Sequence, residues 1–225
     1  MERSKKERKN MCGIYMTAQS GSEKAGNKVF EGLKRIEYRG YDSWGVVVLN
    51  ASGFHLEKRV GKLSSVATMK FEKGGFALGH TRWATHGGVT EVNAHRHLAK
   101  NGSFALAQDG VVENYQELAE KLLDAGYIFD SQTDTEVIVG IIETELARKK
   151  KAEPDLETVK DSFLKLDGRN TIALITKSGN LFAVRDGSPL VVGRNSKFET
   201  IYFSSDVVSM SGDADEYMII QSGQI

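Results

Sequence analysis

What most limits the fold of this chain is a succession of short segments rich in β-branched and aromatic residues, each ending near glycine or a small polar residue. CGIYMTAQ begins at residue 12, WGVVVLNA at 44, FHLEKRVG at 54 and FALGHTR at 76. Their length and composition predict strands. The pattern returns at 104–112, 170–176, 181–185, 189–193, 200–204 and 216–221, with KSGN at 177–180 supplying a hairpin turn. Strands that follow strands through short turns pair antiparallel, because a parallel neighbour needs a crossover of a dozen residues or more.

Helical periods interrupt the strands. Ala25, Val29, Leu33 and Ile36 form one stripe, and Tyr115, Leu118 and Leu122 another that Gly126 closes. Thr133 followed by Glu136 predicts a capping box ahead of Val137, Ile138, Ile141, Ile142 and Leu146. Leu156, Val159, Phe163 and Leu166 predict a fourth helix. The order predicts an α+β fold in which antiparallel sheets are covered by helices in layers.

At 225 residues, with prolines only at 154 and 189 and no low-complexity stretch, the chain is expected to bury one core without a linker. Basic and acidic residues number 30 each, which gives no field for nucleic acid, and no apolar run is long enough for a bilayer. Residues 1–10 nevertheless hold Arg3, Lys5, Lys6, Arg8 and Lys9, so the remainder is mildly acidic. No hydrophobic segment follows them, which excludes a secretory signal. Residues 1–11 are expected to be a leader or extension, disordered or removed, ahead of a domain at 12–225. A single cysteine excludes an internal disulfide framework and points to a reducing compartment, the cytoplasm.

That cysteine, Cys12, stands between Met11 and Gly13. Such a thiol is either a small buried hydrophobe or, if Met11 is removed, a nucleophile with a free α-amine beside it. An α-amine with a pKa near ~8 can take the proton of a thiol near ~8.5, directly or through a water. The amide nitrogen of a continuing chain cannot.

The stretch 79–97 holds His80, His86, His95 and His97. His95 and His97 would share one side of a strand, but no recognised metal-ligand spacing accompanies them, and hydrogen-bonded histidines account for them better. In the same stretch Arg82 beside Trp83 offers a guanidinium fork for a carboxylate, or a surface ion pair. Asp134, in TDTE at the mouth of the third helix, either caps that helix or holds an ammonium group. Arg82 and Asp134 together would describe an amino-acid pocket.

MCGI, RIEYRGYDS at 35–43, HTRWATHG at 80–87, EVNAH at 91–95, DGVVENY at 109–115, TDTEVI at 133–138 and GSPLVVG at 187–193 occur in this order. Over residues 12–225 the chain resembles the glutaminase domain of the glutamine:fructose-6-phosphate aminotransferases, class II amidotransferases of the N-terminal nucleophile hydrolase fold. The resemblance implies a four-layer αββα sandwich of two antiparallel sheets between helices. It implies that Cys12 attacks the side-chain amide of L-glutamine, that Arg82 binds the substrate carboxylate and Asp134 its amino group. It further implies that Trp83, Thr85 and His86 shape the surrounding loop and that Gly110 gives a backbone N–H to the oxyanion. No metal or organic cofactor is implied. The partners implied are sugar-isomerase domains or a separate subunit, with pairing of two copies through domains outside this chain.

One position departs from the family. Asn-Gly becomes Asp109-Gly110 here, and an ionised Asp accepts where the Asn would donate to the oxyanion. Loss of one such donor costs roughly 3 to 4 kcal/mol. Asp109 is a natural departure, a substitution that traps substrate, or a carboxyl group kept protonated and so still a donor. Trp44, Val89 and Arg96 also depart, where the family tends to carry Ala, Pro and Pro. The expected function is glutamine hydrolysis that feeds ammonia to glucosamine-6-phosphate synthesis. The alternatives are a catalytically impaired glutamine-binding or regulatory module, and an amidotransferase domain for another acceptor.

Overall fold

The structure, a computed structural model, describes residues 12–20, 24–84, 88–90, 93, 97–197 and 199–225. The proposed leader, Thr85, His86 and His95 lie outside the described residues. In chain order the strands are β1 (Gly13–Gln19), β2 (Ser43–Asn50), β3 (Gly53–Val60), β4 (Phe76–Arg82), β5 (His97–Leu98), β6 (Phe104–Gly110), β7 (Asn170–Thr176), β8 (Leu181–Asp186), β9 (Val191–Asn195), β10 (Thr200–Ser204) and β11 (Glu216–Ile219). The helices are α1 (Ala25–Arg35), α2 (Tyr115–Asp124), α3 (Asp134–Lys149) and α4 (Leu156–Phe163). The two-residue β5 has no counterpart in the sequence reading, and the last predicted strand stops two residues early, at Ile219.

The strands form a seven-stranded sheet in the order β11-β9-β10-β1-β4-β2-β3 and a four-stranded sheet in the order β5-β6-β7-β8. Every pairing between them is antiparallel. Successive side chains of a strand face opposite ways, so a strand buried on both faces reads as an unbroken apolar run. In β1, Ile14 and Met16 meet Ala105, Ala107, Ala173 and Ile175 between the sheets, whereas Tyr15 faces the layer of α1. In β6, Ala105 and Ala107 point between the sheets, while Phe104 and Leu106 pack with α2, α3 and α4. Three core layers thus separate four structural layers, helix, sheet, sheet and helices, the αββα sandwich. Among the described residues no helix is long and apolar enough to cross a membrane.

Two local features differ from the sequence reading. Thr133 begins α3 as expected but its side chain makes no cap bond, and Glu136 accepts instead from the backbone N–H of Asp130 and Ser131, at 2.7 and 2.6 Å. The carboxylate therefore ties the approaching loop rather than the cap residue. In α4, Leu156 is 55% exposed, because the helix buries the face of Thr158, Val159 and Ser162, and Val159 is fully buried.

Candidate active site

Parity along the strands places the site. Ile14 and Leu78 lie in the layer between the sheets, so Cys12, two residues before Ile14, and Arg82, four residues after Leu78, continue on that face. Asp109 follows Ala107 on the opposing sheet by the same rule. Cys12, Arg82 and Asp109 are all buried at one end of the inter-sheet layer.

The register of β1 with β4 sets Gly13 opposite Thr81 and brings Cys12 against the chain leaving β4. The Cys12 thiol lies 3.7 Å from the Trp83 carbonyl, to which it donates, and accepts from the Trp83 N–H at 3.5 Å. Burial pushes the thiol up to about 12, and the negative charges of Asp109 and Asp134 push the same way against the Trp83 N–H and Arg82. With the chain continuing ahead of it, Cys12 is a protonated thiol at neutral pH.

Asp109 is held by residues of two connections outside the four-stranded sheet. Arg39, from the 3-10 turn Glu37–Arg39, donates through Nη2 to Asp109 Oδ2 at 3.0 Å and through Nε to the Cys12 carbonyl at 3.0 Å. Ser205 Oγ donates to the same carboxylate oxygen at 3.3 Å and accepts the Ile14 N–H at 3.0 Å. Burial raises the Asp109 carboxyl to about 6, against the lowering effects of Arg39, Ser205 and the Cys12 main chain. Gly110 follows with φ of 141°, and a Cβ there would stand 2.0 Å from the Arg169 carbonyl oxygen, so only glycine can end β6 in this way.

Arg82 is fully buried, not part of a surface ion pair. Its Nη1 donates to the Gly88 carbonyl at 3.1 Å, and Asn93 Nδ2 donates to the same oxygen at 3.1 Å. Burial lowers the Arg82 pKa, while the charges of Cys12, Asp134 and Asp42 oppose this. The RGYDS segment wraps the exit of β4. The Asp42 carboxylate accepts the Ala84 N–H at 2.9 Å, and a Cβ on Gly40 would come within 2.6 Å of the Arg82 carbonyl carbon. Trp83 is half-buried with its ring edge-on to Tyr41 at 5.1 Å.

Asp134, the first residue of α3, is fully buried and does not cap by its side chain in the expected way. Its Oδ2 accepts the Val112 N–H at 3.0 Å and the Gln108 side-chain amide at 3.4 Å, while Oδ1 is buried with no hydrogen-bond partner. Gln108, on the helix-facing side of β6, is fixed in turn. Its Nε2 donates to Asn170 Oδ1 at 2.8 Å and its Oε1 accepts from Thr135 Oγ1 at 2.5 Å. The described residues contain no group of three or more His, Cys, Asp or Glu that could hold a metal.

Residues 80–211 match a family described as the glutamine amidotransferase domain. The chain belongs to this family. The glutamine--fructose-6-phosphate aminotransferase (isomerizing) of Pseudomonas putida is 40% identical over 222 residues, 96% of this chain and 35% of that protein. The Campylobacter jejuni protein of the same name is 39% identical over 217 residues, 94% of this chain and 35% of its own length. The chain thus spans about a third of the length of the curated relatives it matches. A solved glutamine phosphoribosylpyrophosphate amidotransferase from B. subtilis superposes with a TM-score of 0.78 at 24% identity, over 94% of this chain and 46% of that one, a likeness of fold. Glutamine hydrolysis is the chemistry of the amidotransferase family to which these sheets and helices belong.

For a glutamine amidotransferase domain, the structure brings the charges of Arg82, Asp109 and Asp134 to bear on Cys12. Trp83 and Gly110 stand beside them. Sequence reasoning assigned no role to Arg39, Ser205 or Gln108. Strand parity places Gln108 opposite Asp109 across β6 and so on the side of α3. Arg39 lies within the motif RIEYRGYDS, which by itself does not say what the residue touches, and nothing local marks Ser205; the two reach the site because the chain turns back from 27 and 191 residues away in bonds to Cys12 and Ile14.

Proposed function

We propose that the chain hydrolyses L-glutamine to glutamate and ammonia with Cys12 as an N-terminal nucleophile. The observation that carries this reading is a buried thiol and a buried guanidinium at one end of the inter-sheet layer, both within electrostatic reach of Asp134, whose Oδ1 is buried and unpartnered. Arg82 grips the substrate carboxylate and Asp134 its ammonium, with Gln108 fixing the other oxygen of Asp134. Trp83, Thr85 and His86 shape the loop over the substrate, and Gly110 offers its N–H to the oxyanion.

The sequence of steps follows from the groups. The Cys12 α-amine takes the thiol proton, sulfur bonds to the amide carbon, and the carbonyl electron pair moves to oxygen. As the tetrahedral adduct collapses, the carbon–nitrogen bond breaks and the ammonium returns its proton to the departing nitrogen, which leaves as ammonia. Water then adds to the thioester with the amine as base, and the sulfur departs to give glutamate. This requires residues 1–11 to be absent, since an amide nitrogen is not basic. The ammonia serves glucosamine-6-phosphate synthesis from fructose 6-phosphate, by sugar-isomerase domains or a partner subunit in the cytoplasm, and two copies pair through those domains.

The test uses chains beginning at Cys12. Glutamate release, with mass detection of Cys12 labelled by an electrophilic glutamine analogue, should be found with Cys12 and lost in Cys12→Ala. Release undiminished by that substitution would refute the nucleophile. Asp109→Asn should raise kcat by about 10² to 10³, because it restores an oxyanion donor. Equal rates near neutral pH would remove the handicap from the account. Asp109 also favours a second reading, a glutamine-binding regulatory module, for which glutamine would bind without glutamate release from either protein.

A further inference from the structure

The Asp109 carboxylate is held on one side only. Arg39 and Ser205 both donate to Oδ2, at 3.0 and 3.3 Å, whereas Oδ1 is buried without a hydrogen-bond partner. Arg39 holds the Cys12 carbonyl with the same guanidinium, so the Cys12 backbone and the Asp109 carboxylate are fixed to one rigid fork. The Cys12 main chain favours the ionised carboxyl of Asp109, and Oδ1 is left without a bond. In a continuing chain the Cys12 nitrogen offers one neutral donor. As a chain end it offers three donors and a full positive charge in the same place.

We propose that Asp109 is a positioning residue for the chain end: where no residue precedes Cys12, its carboxylate pairs with the Cys12 α-ammonium while Arg39 clamps both partners. The proposal rests on the N-terminal nucleophile reading and extends it. The surrounding charges decide its consequence. Arg39 alone would disfavour a second cation beside it and leave the amine neutral and basic. Asp109 cancels that field. Arg82 and Asp134 act on the thiol, Asp42 acts on Arg82, and the thiol itself is protonated. Among the described residues, Asp109 is the acid joined to the Cys12 backbone through Arg39. The amine is therefore neutral in a smaller fraction of molecules at neutral pH, which leaves less of the base that the thiol needs. Asp109 suppresses turnover twice, once at the oxyanion and once at the base.

The experiment exploits the single cysteine of the chain. Protein beginning at Cys12 and labelled with ¹⁵N-cysteine gives one amine signal, followed by NMR from about pH 5 to about pH 10. The wild-type amine is expected to titrate about one pH unit or more above that of Asp109→Asn. Asp109→Ala, which removes the charge and leaves no amide in the cavity, should move it the same way. A wild-type amine that titrates at or below those of both variants overturns the pairing. Glutamate release from the same samples separates the two ideas. Release without a difference in titration removes the ion pair and leaves the nucleophile, whereas a difference without release from any of the three proteins leaves the ion pair and removes the nucleophile.

Discussion

At the scale of single residues the site is governed by what burial does to charge. The Cys12 thiolate would have to form in a buried place and near Asp109 and Asp134, which is why its pKa is pushed up to about 12. The thiolate is the nucleophilic form, so reactivity follows its fraction. In protein that retains residues ahead of Cys12, alkylation by iodoacetamide should rise about tenfold per pH unit up to about pH 10 without levelling. Asp109→Asn, which deletes a negative neighbour, should level at lower pH. A wild-type plateau near ~8.5, the ordinary thiol value, would contradict the burial argument. Asp109 is the converse case, a carboxyl at about 6. In that continuing chain, at pH 7, about one molecule in ten keeps the proton that lets it donate, and the fraction grows as pH falls.

At the scale of elements, α3 and α4 bury different shares of their surface. α3 is buried through its first two turns, Asp134 to Ile141, on every side, because it lies between the four-stranded sheet and the neighbouring helices. Its polar first turn is therefore available for the site rather than for water. α4 buries only the face of Thr158, Val159 and Ser162. Val159→Ala should cost roughly 2 kcal/mol of stability in urea denaturation, since it opens a void in the core. Leu156→Ala should stay within about 0.5 kcal/mol, as for other exposed substitutions. Similar losses at both positions would mean that the first turn of α4 is covered in solution.

At the scale of the whole molecule, the separation of the two sheets sets the site. Cys12 and Arg82 hang from the seven-stranded sheet and Asp109 from the four-stranded one, and the gap between them is filled by Ile14, Met16, Leu78 and the small Ala105, Ala107 and Ala173. The alanines let the sheets approach closely enough for Arg39 to bridge Cys12 and Asp109. Ala107→Leu adds volume two residues before Asp109 and should cost about 1–3 kcal/mol. Because the sheets are pushed apart, the same variant should lose labelling of Cys12 by the glutamine analogue. Full labelling with reduced stability would show that the site tolerates a wider gap.

Sequence alone determined the helices and, apart from the two-residue β5, the strands to within a few residues, and it determined the antiparallel pairing. Those properties are written in local periodicity, in turn residues and in the order of motifs, and each depends on neighbours in the chain. It also singled out Asp109 as a departure from the family's Asn. Only the tertiary structure decided that Arg82 is buried, that Asp134 takes Val112 and Gln108 as partners rather than capping, and that Arg39 and Ser205 stand behind Asp109. The reason is that burial and partnership are set by which strands become neighbours. Residue 12 meets residues 39, 83 and 109 because antiparallel strands and a sheet-on-sheet layer bring distant parts of the chain together, and nothing local in the sequence records those distances.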